Sequence, residues 1–300
     1  MTNNSPEGRV SARLLTATPP EVLFVTSASA QYAGAVIAVK LFDDLSPATV
    51  AWIRVLSAGL ILGAFSLRQR HSSWTRRDIA WASAFGIATA SMNMFFYLAI
   101  NYLPLGKGVT IEFIGPIAVA ALTTKSLRNT YALLLATVGV LILGGVEIGN
   151  EPLGLVFILL ASAMWAAYIV IGSRVALGDH GVAGLAIGLV VGGVAITPFA
   201  STGANTAFTS PTLLLSCIAI GVLSNVIGYG IDQTTLRRIP IRRFSVMLAL
   251  LPVTAAAFGF IFLGQTPSTI DLAGMALVLV GVAVQERDVV KRHQSEAQTA

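Results

Sequence analysis

Tyr102-Leu-Pro-Leu-Gly-Lys107 has a counterpart in the second half of the chain, Arg238-Ile-Pro-Ile-Arg-Arg243. An apolar stretch beginning Pro116-Ile-Ala-Val-Ala-Ala121 follows the first, and one beginning Pro252-Val-Thr-Ala-Ala-Ala257 follows the second. Pro240 lies 136 residues after Pro104 (240 − 104), and Pro252 lies 136 residues after Pro116 (252 − 116). In a chain of 300 residues, a repeat at almost half the length indicates two homologous halves.

The composition indicates a membrane protein. Hydrophobic residues make up 55% of the chain and charged residues 11%, whereas soluble domains contain about 45–50% and about 25%. The net charge of +5 comes from short basic clusters between apolar segments, which favours membrane orientation over nucleic-acid binding. Ten spans of about 20 residues each would leave no room for a soluble catalytic domain.

Ten apolar segments are predicted to cross the membrane as helices. They lie at residues 22–42, 47–67, 78–100, 105–124, 130–147, 153–172, 182–200, 211–231, 243–263 and 269–285. Each half holds five, and an odd number inverts one half relative to the other. We expect an all-α membrane protein of ten transmembrane helices in two inverted five-helix repeats, 22–147 and 148–285, between tails 1–21 and 286–300. This is the architecture of a secondary transporter, with its site near the mid-plane.

The distribution of basic residues predicts the orientation. With both termini in the cytoplasm, 16 of the 19 Lys and Arg residues fall in cytoplasmic segments. The other three, Lys40, Arg54 and Lys107, lie at or near span ends or within spans. Because basic residues are retained on the cytoplasmic side, this asymmetry supports ten spans with both ends inside.

Glu112 is the only carboxylate near the middle of a predicted span. A charge at that depth costs roughly 2.5–3.5 kcal/mol on insertion scales, so the side chain must face other helices or a wet cavity. Pro116, one turn on, leaves a backbone carbonyl without its helical donor. Two interpretations stay open: a carboxylate that carries protons or binds a substrate amine, and an interhelical hydrogen bond that fixes packing.

Four other spans carry polar, aromatic or small residues at helical spacing. These stripes are Ser27, Gln31 and Gly34; Thr89, Asn93 and Tyr97; Trp165, Tyr168 and Gly172; and Asn225, Tyr229 and Asp232. Any one stripe alone could be ordinary contact between helices. Together they predict a cavity for a small polar solute. The predicted substrate-binding residues are Gln31, Asn93, Tyr97, Glu112, Trp165, Tyr168, Asn225 and Tyr229, and Glu112 and Asp232 are the candidates for proton coupling.

Three further positions are candidates for gating. Arg54 lies about two turns into the second span, where it could pair or gate, and Pro116 and Pro252 interrupt the fourth and ninth spans. The seventh span repeats the GxxxG spacing at Gly184, Gly188 and Gly192. That spacing permits close helix approach, either inside the bundle or between protomers.

Motifs for other classes of chemistry are absent from the sequence. It contains no GxxxxGK[ST], HExxH or GxSxG, its one cysteine lies in an apolar run, and its three histidines fall in predicted loops or the tail. We therefore expect no enzyme activity, no cofactor, no metal site and no nucleic-acid partner. Uphill transport would draw on an ion gradient, unless the protein is a passive facilitator.

The third and fourth spans carry a family resemblance. They contain the run Met92-Asn-Met-Phe-Phe-Tyr97-Leu-Ala-Ile-Asn-Tyr-Leu-Pro104-Leu-Gly and then Glu112-Phe-Ile-Gly115-Pro116. Trp165-Ala-Ala-Tyr168 and Phe262-Leu-Gly264-Gln265-Thr266 match as well. The chain resembles the EamA-type drug/metabolite transporter superfamily, and within it the threonine and homoserine exporters of the bacterial inner membrane. The resemblance implies ten helices in two inverted halves and export of small metabolites, often amino acids, driven by proton exchange.

Three positions in the second half depart from the family pattern. Leu251 and Gln265 stand where the family commonly has glutamate, and Asp232 stands where it has another. Glu112 is therefore the one glutamate to which the family's role transfers directly. The departures leave the substrate and the proton coupling open.

The sequence leaves three hypotheses about the function. The leading one is an amino-acid exporter that works by alternating access, with a small-molecule substrate, the lipid bilayer and a proton counter-ion as partners, as a monomer or homodimer. The second is an exporter of multiple drugs or lipophilic cations with the same fold. The third is a lipid-handling or structural membrane partner that transports nothing.

Overall fold

The computed structural model describes residues 18–66, 74–123, 127–175, 181–228, 231 and 250–285. These residues form α-helices and one π-helical segment, with no strand among them. The α-helices are α1 Pro20–Leu41, α2 Pro47–Ser66, α3 Arg76–Ile100, α4 Leu105–Glu112, α5 Ile114–Thr123, α6 Leu127–Asn150, α7 Pro152–Val175, α8 Gly181–Ala200, α9 Ala204–Thr209, α10 Pro211–Gly221, α11 Leu250–Leu263 and α12 Thr269–Gln285; the π segment is Val222–Gly228.

Proline sets the start of four of these helices. Pro20, Pro47, Pro152 and Pro211 each occupy the first helical position of α1, α2, α7 and α10. The first N–H groups of a helix have no intrahelical acceptor, so a residue that lacks an N–H costs nothing there. The same residue type that breaks a helix in its interior therefore begins these four.

The helices have the length and composition of membrane spans. Six of those described are long and apolar enough to cross a bilayer, and three shorter apolar helices, Leu127–Leu143, Leu250–Leu263 and Thr269–Val284, accompany them. Large apolar side chains also cover the outside, with Leu141 66% and Phe199 70% exposed. Such a surface suits lipid better than water. The chain is a multi-pass helical membrane protein.

The helix bounds refine the prediction at and just before the eighth segment. The predicted segment 211–231 is not one α-helix, because α10 continues into the π segment. A short helix that the sequence did not predict, α9, precedes α10 and follows Gly203, whose φ of 90° lies in the left-handed region that glycine adopts without strain.

Most of the extensive helix pairings join the first part of the chain to the second. Helix α3 packs on α7 and α8, α2 on α8, α6 on α12, α4 on α11, and α1 on the π segment and α11. The residues at the centre of the protein therefore come from both sides of Glu151. A site there is built from segments far apart in sequence.

The glycines of α8 pack inside the bundle. A Cβ on Gly86 of α3 would overlap the carbonyl of Gly188, and one on Gly192 would overlap the carbonyl of Gly86. Only hydrogen side chains allow two helix backbones this close. Of the two predicted uses of the GxxxG spacing, the structure shows the intramolecular one at Gly188 and Gly192.

Candidate functional site

The fourth apolar segment is divided into two helices at Glu112. Helix α4 ends at that residue and α5 begins at Ile114. In a continuous helix the N–H of residue 116 would donate to the Glu112 carbonyl, but Pro116 has no N–H. The Phe113 N–H instead donates to the Thr110 carbonyl at 3.3 Å, one residue closer than in an α-helix. The break places a free helix end and a carboxylate at the same point, as in the discontinuous helices of transporters.

Glu112 itself is buried, with 7% of its surface exposed. Within the described ranges, its carboxylate makes no hydrogen bond and no ion pair. The positive charge that acts on it is that of Arg54 on α2, although the two side chains are not in contact as a salt bridge. A buried carboxylate without a partner has an unfavourable energy that a cation or a proton would relieve.

Arg54 is also buried, at 6% exposed, and it joins three elements. Its Nε and Nη2 atoms donate to Oδ1 of Asn225 in the π segment, at 3.1 and 2.9 Å. The guanidinium carbon lies 4.8 Å from the centre of the Tyr97 ring on α3. A cation over an aromatic face is stabilised by the ring quadrupole. Arg54, Tyr97, Glu112 and Asn225 form one group, which we call the central cluster.

The π segment brings Asn225 into that cluster. A π turn is wider than an α turn and is found frequently at functional sites. Asn225 is fully buried, and its Nδ2 has no hydrogen-bond partner in the described part of the chain. The side chain is therefore held through its oxygen alone, by Arg54.

Gln31 lies where α1 meets the same π segment. Its Nε2 donates to Ser27 Oγ at 3.1 Å, and Ser27 Oγ donates to the Gly228 carbonyl at 2.9 Å. Ser224 Oγ in turn donates to the backbone carbonyl of Gln31 at 3.4 Å. The predicted stripe on α1 thus holds the π segment at Ser224 and Gly228, which lie before and after Asn225 in the sequence.

Asn93 and Tyr97 share one face of α3. The Asn93 Nδ2 donates to the Thr89 carbonyl one turn earlier, at 2.7 Å, and Asn93 is 3% exposed. The Tyr97 ring meets Phe42 edge-on, with 5.9 Å between centroids. The structure thus places Tyr97 in the central cluster and Asn93 one turn from it.

Trp165 and Tyr168 project from α7 into different surroundings. The Trp165 ring meets Phe113 edge-on at 5.0 Å between centroids, beside the helix break. The Tyr168 ring packs on Phe85 of α3 at 4.7 Å. Trp165 is therefore a neighbour of the break at Glu112, whereas Tyr168 contributes to the contact between α3 and α7.

Three predicted site residues remain. Tyr229 and Asp232 lie outside the described residues. Pro252 is buried in the first described turn of α11. Its counterpart in the repeat, Pro116, is the residue that divides the fourth segment.

Sequence reasoning missed a buried ion pair between α4 and α12. Lys107 Nζ lies 2.8 Å from Asp271 Oδ1, and the two side chains are 6% and 11% exposed. Ser268 Oγ and N also donate to Asp271 Oδ2, at 2.9 and 3.0 Å. Ser268-Thr-Ile-Asp271 matches a helix-start pattern and could have placed Asp271 in the first turn of a helix. Nothing in the pattern indicates a lysine 164 positions earlier (271 − 107).

Gln265 caps the start of α4. Its Oε1 accepts a hydrogen bond from the Leu105 N–H at 2.9 Å. Leu105 follows Pro104 at the first turn of α4, where N–H groups lack intrahelical acceptors. The amide oxygen of Gln265 thus performs a capping role that a carboxylate at this position could also perform.

Comparison with known proteins gives a consistent assignment. The profile of the EamA-like transporter family matches the chain twice, at residues 19–148 and 152–285. The threonine/homoserine exporter RhtA of Escherichia coli is 32% identical over 266 residues, covering 87% of this chain and 88% of RhtA. RhtA of Salmonella typhimurium is similar to the same extent.

A more distant sequence relative and a solved structure match as well. The uncharacterized inner membrane transporter YedA of Escherichia coli is 24% identical over 253 residues, covering 81% of this chain and 82% of YedA. A solved structure described only as a crystal structure of a protein superimposes with a TM-score of 0.54 at 16% identity, over 91% of this chain and 98% of that one. At this identity the superposition supports the fold alone.

Proposed function

The chain belongs to the EamA-like transporter family, and on that premise we propose that it exports amino acids such as threonine or homoserine by alternating access. Membership makes it a transporter of small metabolites and not an enzyme. The observation that carries the proposal is the buried Glu112 at a helix break, in a cluster with Arg54, Tyr97 and Asn225. A central site at a discontinuous helix is where secondary transporters bind their substrates.

The proposed architecture is ten spans in two inverted repeats, residues 22–147 and 148–285, between tails 1–21 and 286–300. The two separate matches to the family profile support it. The helix pairings support it too, because exchanging the halves reproduces them. Packing of α3 on α7 (spans three and six) corresponds to packing of the π segment on α1 (spans eight and one), and α4 on α7 corresponds to α11 on α1.

The chemistry of the site suits a small amphoteric solute. In this proposal, Glu112 attracts the substrate ammonium, and the aromatic rings of Tyr97, Trp165 and Tyr229 close the cavity and contact the ammonium by cation–π interaction. Amide and hydroxyl groups bind the polar side chain. The remaining proposed contacts are Gln31, Asn93, Tyr168 and Asn225.

Export is proposed to be coupled to proton entry. While the site closes to one face of the membrane and opens to the other, the Glu112 carboxylate must be neutral or paired. Glu112 would meet that condition if it binds the substrate ammonium while the site turns outward and a proton while the site turns back. Asp232 would be a second proton site. Arg54, Pro116 and Pro252 would act in gating.

We place the protein in the bacterial inner membrane with both termini in the cytoplasm. The positions of the basic clusters support the orientation. Because Gly188 and Gly192 pack inside the bundle, they leave no reason to invoke a dimer, and both a monomer and a homodimer are compatible with the proposal.

The second candidate is an exporter of lipophilic cations. The aromatic rings beside the helix break favour it: Phe113 follows Glu112 directly, and Trp165 packs on Phe113. The buried positive charge of Arg54 opposes it, because a cation without an anionic group would be repelled there.

The test is counterflow of labelled threonine or homoserine in proteoliposomes with an imposed pH gradient. Wild type is compared with Glu112→Gln, and Glu151→Gln between α6 and α7 serves as the matched control. We expect saturable flux that follows the pH gradient in wild type and in the control and that collapses in Glu112→Gln. Gradient-independent flux in all three would remove Glu112 from coupling. No flux from well-folded wild type would overturn the amino-acid assignment, and binding of a lipophilic cation would then favour the second candidate.

A further inference from the structure

The guanidinium of Arg54 has donors to spare. It carries five N–H groups, and the Asn225 oxygen accepts from only its Nε and Nη2 atoms. Throughout the described part of the chain no other acceptor bonds to it, and no carboxylate pairs with it. The residue is nevertheless 94% buried. A buried charge whose only hydrogen-bond acceptor in the described residues is one neutral oxygen is costly, so the fold retains it at an energetic disadvantage.

Two of the three free donors lie along one edge of the guanidinium. Asn225 occupies the edge formed by Nε and Nη2, and the Tyr97 ring covers one face. The edge formed by the two terminal nitrogens is left. That edge presents two parallel N–H groups, the geometry that binds a carboxylate through both oxygens.

Glu112 supplies the opposite charge. It is buried within electrostatic range of Arg54, yet the two do not form an ion pair. A buried guanidinium and a buried carboxyl group that do not pair with each other suit a ligand that carries both signs and can ionise Glu112 by pairing with it. An α-amino acid is such a ligand, because its ammonium and its carboxylate are attached to one carbon.

We propose that Arg54 is the residue that binds the substrate carboxylate, so that the transported class is the zwitterionic α-amino acid with its ammonium at Glu112. This inference rests on the proposed function and makes it more specific. Arg54 then selects against amines, amides and lipophilic cations, which lack a carboxylate. Asn225 is a positioning residue, because it holds Arg54 by the adjacent edge, that of Nε and Nη2.

The first test compares two competitors of labelled threonine in the counterflow assay: unlabelled threonine and threoninamide, whose carboxylate is replaced by a neutral amide. In wild type, we expect threoninamide to compete roughly 10- to 100-fold more weakly, as expected for loss of a charge-assisted hydrogen-bonded pair. In Arg54→Gln, the threonine KM should rise and the difference between the two competitors should disappear. Arg54→Lys should retain part of it, and Lys40→Gln, at the exposed end of α1, should leave it unchanged.

The second test adds a competing carboxylate without removing Arg54. Asn225→Asp is nearly isosteric and would pair with the guanidinium, and Asn205→Asp on the exposed surface of α9 is its control. We expect Asn225→Asp to raise the threonine KM at least tenfold, by competing for the charge that holds the substrate, while its unfolding temperature stays at or above that of wild type. A merely structural Arg54 would not produce this combination.

The outcomes separate this inference from the proposed function. If wild type carries threonine but treats threoninamide as its equal, or if both central variants keep the preference, Arg54 does not bind the carboxylate and the exporter stands. If well-folded wild type carries no amino acid, the proposed function fails and this inference fails with it. If Arg54→Gln does not fold, Asn225→Asp decides between the two roles of Arg54.

Discussion

Lys107 and Asp271 form an ion pair, with 2.8 Å between Nζ and Oδ1, that connects α4 to α12. Both side chains are almost fully buried, and both belong to a chain in which only 11% of residues are charged. Lys107 lies in the first turn of the helix that ends at Glu112. The pair therefore anchors the end of α4 opposite to the central cluster.

Neutralising either partner of this pair alone should destabilise the protein. Lys107→Met leaves the Asp271 carboxylate buried without its cation, and Asp271→Asn does the reverse while retaining an oxygen for Ser268. We expect each to lower the free energy of unfolding by about 3 kcal/mol, because an uncompensated buried charge remains. Chemical denaturation in detergent measures this. The double variant should lose less than the two single losses combined, and fully additive losses would show that the two charges do not interact.

Restoring an N–H at position 116 should join α4 to α5. In Pro116→Ala the Glu112 carbonyl gains a helical donor, so the break at Phe113 loses its cause. We expect slower hydrogen exchange around residue 116, an unfolding temperature equal to or above wild type, and flux lowered by about tenfold, equivalent to roughly 1.4 kcal/mol. Pro211→Ala, at the first position of α10 where an N–H has no role, is the control. Undiminished transport together with a continuous helix would show that the break is not needed for function.

A methyl group at Gly86 should separate α3 from α8. Its Cβ would overlap the Gly188 carbonyl, which is backbone and cannot rotate away. We expect Gly86→Ala to lower the free energy of unfolding by about 3 kcal/mol, the upper end of overpacking costs. Gly63→Ala is the matched control, because nothing lies within 4 Å of a Cβ there. Since alanine is the better helix former, that control should gain about 0.5–1 kcal/mol, and thermal unfolding of the two should shift in opposite directions.

Gln265 can be tested as the cap of α4. Gln265→Ala removes the acceptor of the Leu105 N–H and should lower the free energy of unfolding by about 1 kcal/mol. Gln265→Glu keeps an oxygen at that place and should recover most of the loss at neutral pH. Thermal unfolding of the three proteins checks the order. Equal stability of Gln265→Ala and wild type would show that water replaces the cap without cost.

The residues most informative in the sequence were those that a bilayer disfavours. Glu112 stands out because no other carboxylate occurs near the middle of a span, and Pro116 because a proline inside an apolar helix removes a hydrogen bond. The structure places both at a break in the fourth segment. Helical periodicity also placed Asn93 and Tyr97 on one face of α3. These inferences depend only on each residue and its near neighbours in sequence.

The contacts of those residues needed the tertiary structure. Arg54 and Asn225 are 171 residues apart (225 − 54), and their bond depends on the π segment, which widens one turn inside an unremarkable apolar run. The sequence suggested pairing or gating for Arg54 but identified no partner, and it gave no indication that Lys107 and Asp271 meet.

Local composition therefore determined that this is a multi-span membrane protein and which of its polar residues must avoid lipid, because the bilayer penalises each polar group separately. Packing alone decided which of those groups meet. The reason is physical: partners are fixed by the rotation, depth and crossing of helices from the two halves, and those depend on close approaches such as Gly86 against Gly188 that no sequence period encodes.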